Sequence, residues 1–91
     1  MILKSPLTQL QEVLYELLTN DFISVRQILS ETGILNPKAR ISELRLDHNL
    51  SIETEMVKVQ NKYGRKVSFG QWKLTDKETA YELYLKLQEN H

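Results

Sequence analysis

Two segments of this chain alternate apolar and polar residues, and both reverse phase at the same level. Ile52, Thr54 and Met56 alternate with Glu53 and Glu55, after which Val57 and Val59 take the opposite parity. On the return, Val67 and Phe69 are odd while Trp72 and Leu74 are even. A period of two marks a strand. Pairing Val59 with Val67 sets Val57 opposite Phe69, Met56 opposite Gly70, Thr54 opposite Trp72 and Ile52 opposite Leu74. The spacing therefore predicts a long twisted hairpin whose apolar side changes face, or which bulges at Gly70. The same register leaves Lys62-Tyr63-Gly64 as a three-residue loop, with glycine at the left-handed position such loops need.

Upstream the period is helical. Ser5-Pro6 is a cap-then-proline start, and Leu7, Leu10, Val13, Leu14, Leu17 and Leu18 mark one face of a first helix running to about Thr19. Asn20-Asp21 break it, and Phe22-Ile23 suit a stub strand. Ser24-Val25-Arg26-Gln27 is a capping-box pattern. It opens a short second helix with Val25, Ile28 and Leu29 inward, stopped at Thr32-Gly33. Gly33-Ile34-Leu35 turn into a third helix, capped by Asn36 and opened by Pro37. There Pro37, Ile41, Leu44 and His48 share the buried face, with Lys38, Ser42, Arg45 and Asn49 as a stripe beside it. Ala39 and Leu46 lie opposite the core, and Arg40, Glu43 and Asp47 form a mixed-charge flank. Beyond the hairpin, Thr75-Asp76-Lys77-Glu78 is a second capping box. The last helix points Ala80, Leu83, Tyr84 and Leu87 inward. Tyr81 and Leu85 widen that stripe, which fits a helix tucked into a groove or a self-association surface.

At 91 residues the chain suits one domain, 1–91, with a helical core over 5–49, a hairpin over 50–74 and a last helix over 75–91. The formal net charge is zero, but it is unevenly placed. From Asn36 to Thr75 there are eight basic residues and four acidic ones, a balance of +4, which the remainder offsets with four basic and eight acidic. A polyanion contact therefore belongs to the middle of the chain. The absence of cysteine removes disulfides, thiolate zinc sites and cysteine nucleophiles. The start, Met-Ile-Leu-Lys-Ser-Pro, is too short for a signal peptide, no apolar run approaches membrane-spanning length, and the expected location is cytoplasmic. No catalytic constellation is evident. The histidines are His48, on the expected buried face, and His91, and neither sits in a metal-ligand or nucleophile spacing. The expectation is a non-enzyme with no cofactor, no metal and no small-molecule substrate.

Three helices followed by a hairpin is the order of a winged helix, an α+β variant of the helix-turn-helix. Ala39-Arg40-Ile41-Ser42-Glu43-Leu44-Arg45, then Leu50-Ser51-Ile52-Glu53-Thr54, then Tyr63-Gly64-Arg65 resemble the small winged helix-turn-helix domains encoded by phages and prophages. The resemblance covers roughly Leu7 to Leu74. Asn49 stands where such domains usually have glycine, and Leu46 where they have a polar or basic residue. The resemblance implies binding to double-stranded DNA, in transcriptional regulation or DNA transactions. The third helix would enter the major groove with Lys38, Ser42 and Arg45 against base edges or phosphates, Ala39 against a thymine methyl, and Arg40 on the flank. The hairpin would bring Lys58, Lys62, Tyr63, Arg65 and Lys66 as a second contact. The amino end of the second helix, Ser24 to Arg26, could meet a phosphate. A homodimer through the last helix would place two third helices about one DNA turn apart, roughly 34 Å. The alternative reading is a winged helix that binds a protein, as an adaptor or inhibitor, and no DNA.

Overall fold

The computed structural model describes residues 3–89. Asn90 and His91, the last two residues of the expected final helix, lie outside that range. The order is α1 (Gln9–Thr19), β1 (Ile23–Ser24), α2 (Val25–Thr32), α3 (Pro37–Leu46), β2 (Ile52–Gln60), β3 (Lys66–Leu74) and α4 (Lys77–Glu89). The strands form one antiparallel sheet in the order β1-β3-β2. This is an α+β fold, consistent with a winged-helix-like topology.

Three of the four helix starts have a polar side chain that captures a free first-turn amide. α1 begins three residues later than Ser5-Pro6 suggested, because Thr8 accepts from the Gln11 amide at 3.2 Å. Gln11 reaches back to the Leu7 amide at 2.9 Å, so Leu7 precedes the helix and is 56% exposed. At α2, Ser24 accepts from Gln27 as expected, at 3.1 Å, but Gln27 turns its amide to Asn20 instead of closing the box. Gly33 ends α2 at φ 76°, its amide donating to the Leu29 carbonyl. Asn36 makes no side-chain cap to α3, and Pro37 alone marks that start. At α4 the cap is Asp76, not Thr75: Asp76 accepts from the Thr79 amide at 3.2 Å and its hydroxyl at 2.6 Å. Thr75 is instead engaged with the Ser51 carbonyl, through its amide and hydroxyl both at 3.3 Å.

The core gathers one face of every element. Val13, Leu14, Leu17, Ile23, Ile28, Ile34, Ile41, Leu44, Leu50, Ile52, Trp72, Leu74, Ala80 and Tyr84 form a single buried cluster. Leu29 is not part of it and is 44% exposed. On the α2 wheel Thr32 and Val25 lie closer to Ile28 than Leu29 does, so the short helix turns Leu29 to its rim. His48 is not on the buried face of a helix either. α3 closes with the Asp47 amide on the Glu43 carbonyl, and His48 lies half-buried in the turn beyond. Asn49 there takes φ 54°, the left-handed conformation asparagine tolerates.

α4 and the segment before α1 are strapped together. The Tyr84 hydroxyl donates to the Lys4 carbonyl at 2.6 Å, and burial, then the neighbouring Tyr15, pushes that hydroxyl above its ordinary pKa. Gln11 is buried but satisfied: besides the Leu7 amide, its oxygen accepts from Gln88 at 2.6 Å, and its amide donates to the Leu87 carbonyl at 3.4 Å. A buried amide whose groups are all engaged fixes its neighbours in one arrangement. This network holds α4 on the side of α1 and leaves α3 and the hairpin with open outer surfaces.

The hairpin has the expected register throughout: Val59 opposite Val67, Val57 opposite Phe69, Met56 opposite Gly70, Thr54 opposite Trp72 and Ile52 opposite Leu74. It does not bulge at Gly70, so the apolar side changes face. Near its base Ile52, Trp72 and Leu74 point into the core. Past Met56 and Gly70, Val57, Val59, Val67 and Phe69 pair on the opposite face, Val59 and Phe69 about 40% exposed (42% and 39%). The loop is Lys62-Tyr63-Gly64, with Gly64 at φ 85°. Asn61 shapes it by accepting from the Tyr63 and Arg65 amides at 2.9 and 3.0 Å.

Candidate nucleic-acid interface

The outer side of α3 and the core-facing side of the hairpin enclose an open cleft of about 550 Å³. Lys38, Ser42 and Arg45 line it from α3, and Thr54, Met56, Ser68 and Gly70 from the strands. Directly paired residues share a face, and faces repeat every second residue. Lys58, opposite Ser68, and Lys66, opposite Gln60, therefore continue the cleft side of the hairpin toward its tip. Lys62, Tyr63 and Arg65 form the tip, with the Lys62 ammonium 5.0 Å from the Tyr63 ring centre. Lys38, Lys58, Lys62, Arg65 and Lys66 are all exposed. Among the described residues the ion pairs are Arg40–Glu43 and Lys77–Asp21, so none of these five cations is neutralised by a carboxylate. Lys38 and Arg45 thus lie in the cleft itself, and Lys58 and Lys66 lie on the same side of the hairpin beyond it.

The two arginines of α3 are placed differently. Arg40 pairs with Glu43 at 2.6 Å, donates to Gln9 of α1 at 3.5 Å, and buries its Nε. It lies on the α1 side, away from the cleft. Arg45 reaches across to β2: its Nε and Nη2 donate to the Ile52 carbonyl at 3.2 and 2.7 Å, and Nη2 to the Thr54 hydroxyl at 2.8 Å. The rungs at the hairpin ends, Thr75 to Ser51 and Asn61 to Arg65, assign the odd residues of β2 to the β3 side. The even residues thus turn their carbonyls to the open edge, and Arg45 caps the first of them. This guanidinium joins α3 to the open edge of the hairpin.

The remaining expected contacts are on the surface of α3. Lys38 and Ser42 are exposed, Ala39 is half-buried, and Leu46 is 79% exposed. Leu35, just before the helix, is 87% exposed. Ser24 to Arg26 sit at the start of α2, where Val25 also borders the cleft. Sequence reasoning missed the Arg45 bridge and the Asn61 turn. Arg45 falls only about 40° from buried Ile41 on the helical wheel, a flank position that points toward the next element rather than outward. On α4, Ala80 and Tyr84 are buried, Leu83 and Leu87 pack on the core, Tyr81 is half-buried and Leu85 is 43% exposed. No helix of the described residues is long and apolar enough to cross a membrane.

Comparisons with protein-family models, with curated proteins and with solved structures give no match for this chain.

Proposed function

We propose that this chain is a winged helix-turn-helix protein that binds double-stranded DNA, with α3 in the major groove and the hairpin as the wing against the adjoining backbone. One observation carries the reading: Lys38 lines the cleft between α3 and the hairpin, Lys58 and Lys66 continue the same side of the hairpin toward a tip that carries Lys62 and Arg65, and among the described residues none of these five cations meets a carboxylate, while the acidic excess lies elsewhere in the chain. Lys58, Lys62, Arg65 and Lys66 follow one another along a two-stranded ribbon and repel one another, and a phosphate backbone relieves that repulsion. The wing cations position the duplex without reading it, since phosphate contacts carry no base information. The role is in transcriptional regulation or DNA transactions, of the phage or prophage type the sequence resembles.

Fluorescence anisotropy of the full chain against random-sequence duplex, at two salt concentrations, tests it. Non-specific binding of roughly 10⁻⁴ to 10⁻⁶ M that weakens with salt is the expected result. No binding at low salt by folded protein would favour the second reading, a protein-binding winged helix, whose support is the exposure of Leu35 and Leu46 beside α3. A homodimer through α4 would use Leu85 and the uncovered part of Tyr81. A concentration-independent monomer in sedimentation, with and without duplex, would remove it.

A further inference from the structure

We propose that α3 reads its DNA chiefly through the C5-methyl groups of thymine, so that the preferred major-groove site is rich in A·T pairs. The inference rests on the DNA-binding reading above. The commonest specific contact in the major groove is an arginine or lysine on guanine, which leaves Lys38, at the first turn of α3 and to one side of its outward line, as the one such group the helix offers, and the commonest adenine contact is an asparagine or glutamine amide. α3, Pro-Lys-Ala-Arg-Ile-Ser-Glu-Leu-Arg-Leu, contains neither amide. Both of its arginines are engaged within the protein, Arg40 with Glu43 and Gln9, and Arg45 with Ile52 and Thr54.

What remains on the outward line is Ala39, Ser42 and Leu46, with Lys38 to one side. These follow one another at spacings of three and four residues, so they form one ridge. Ala39 to Leu46 covers about 10 Å of helix axis at 1.5 Å per residue, the length of about three base steps. A methyl group at one end, a leucine at the other and a hydroxyl between offer little to the polar edges of G·C pairs. Groove donors and acceptors covered by apolar side chains lose their water without replacement. The apolar group that the major groove itself presents is the thymine methyl. Leu46, 79% exposed at the end of this ridge, is then the feature that does the reading.

The test replaces thymine with deoxyuridine, which keeps every hydrogen-bonding group of the base and removes only the methyl. Anisotropy titrations of the full chain use an A·T-rich 20-base-pair duplex, the same duplex with uracil throughout, and a G·C duplex with and without 5-methylcytosine. The thymine duplex is expected to bind about fourfold tighter than the uracil duplex per buried methyl, and 5-methylcytosine to recover part of the gain. Leu46→Ser, checked for folding by circular dichroism, is expected to bind thymine and uracil duplexes much more nearly alike. Equal affinity of the native chain for thymine and uracil duplexes would overturn the proposal while leaving DNA binding in place. Discrimination undiminished in Leu46→Ser would also overturn it, since the methyl would then act through duplex shape. Absence of binding to every duplex at low salt would remove the DNA reading itself.

Discussion

Replacing Arg45 with alanine should loosen the hairpin before it affects any ligand. Its guanidinium makes three hydrogen bonds to two acceptors, the Ile52 carbonyl and the Thr54 hydroxyl, and these join α3 to β2. Hydrogen bonds to charged groups contribute about 1.5–3 kcal/mol net. Both acceptors lie on an open strand edge, where water takes the vacated position, so the loss falls near the lower figure, about 1.5 kcal/mol. A domain of this size loses roughly 4–8 °C of melting temperature per kcal/mol, which gives roughly 6–12 °C. Leu44→Ala, at a fully buried position, should cost more, about 2–5 kcal/mol. Arg45→Lys keeps the charge but not the planar fork, so it should recover little of the stability. The assay is thermal unfolding by circular dichroism together with amide hydrogen exchange at Glu53 and Glu55, whose amides face β3. Unchanged melting and unchanged exchange in Arg45→Ala would refute the bridge and release this guanidinium for a ligand. If the bridge holds, Arg45→Ala also weakens DNA binding, because α3 is no longer joined to the open edge of the wing.

Three further outcomes follow from the structure. Replacing Lys62, Arg65 and Lys66 with alanine should weaken binding to all duplexes similarly and flatten the plot of log affinity against log salt by about 0.9 per lost contact; an unchanged slope would mean the tip touches no phosphate. Gly33→Ala should destabilise by about 1–2 kcal/mol in urea unfolding, because φ is 76° and an added methyl meets no atom within 4 Å, so the cost is conformational alone; no loss would show that the α2–α3 turn relaxes. The Asp76 carboxyl is held below its ordinary pKa by the Thr79 hydroxyl first and the Thr79 amide second. Its contribution is therefore complete above the unfolded value, about 3.9, and is lost as pH falls through the lower folded value. Asp76→Asn should flatten the acid side of the melting-temperature profile, and parallel profiles would refute the cap.

Much of this architecture was legible because two periodicities carried it. The phase reversal of Val57, Val59, Val67 and Phe69 against Ile52, Trp72 and Leu74 fits the pairing of Val59 with Val67, and the structure adopts that register without the alternative bulge at Gly70. Gly33, Asn49 and Gly64 take the left-handed conformations their positions required. What the sequence concealed was competition among polar side chains. Thr8 and Asp76 outcompeted Ser5 and Thr75 as caps, because Thr75 already serves the Ser51 carbonyl. The helical period carried to His48 runs two residues past the end of α3 at Leu46, where the chain has already turned. On the candidate interface, helical spacing put Lys38, Ser42 and Arg45 in one stripe, but it carried no sign that Ile52 would present a free carbonyl to Arg45. That depends on which residues of β2 turn toward the open edge, and it emerges only once strand and helix are placed together.

The most direct test of the central claim is an amide-shift titration of the ¹⁵N-labelled full chain with duplex DNA. The account expects the perturbed resonances to cluster at Lys38, Ala39, Ser42 and Leu46 of α3 and from Lys58 to Lys66 of the hairpin, with α4 unaffected. Shifts confined to α4 and the segment before α1, or no shifts at low salt, would contradict it.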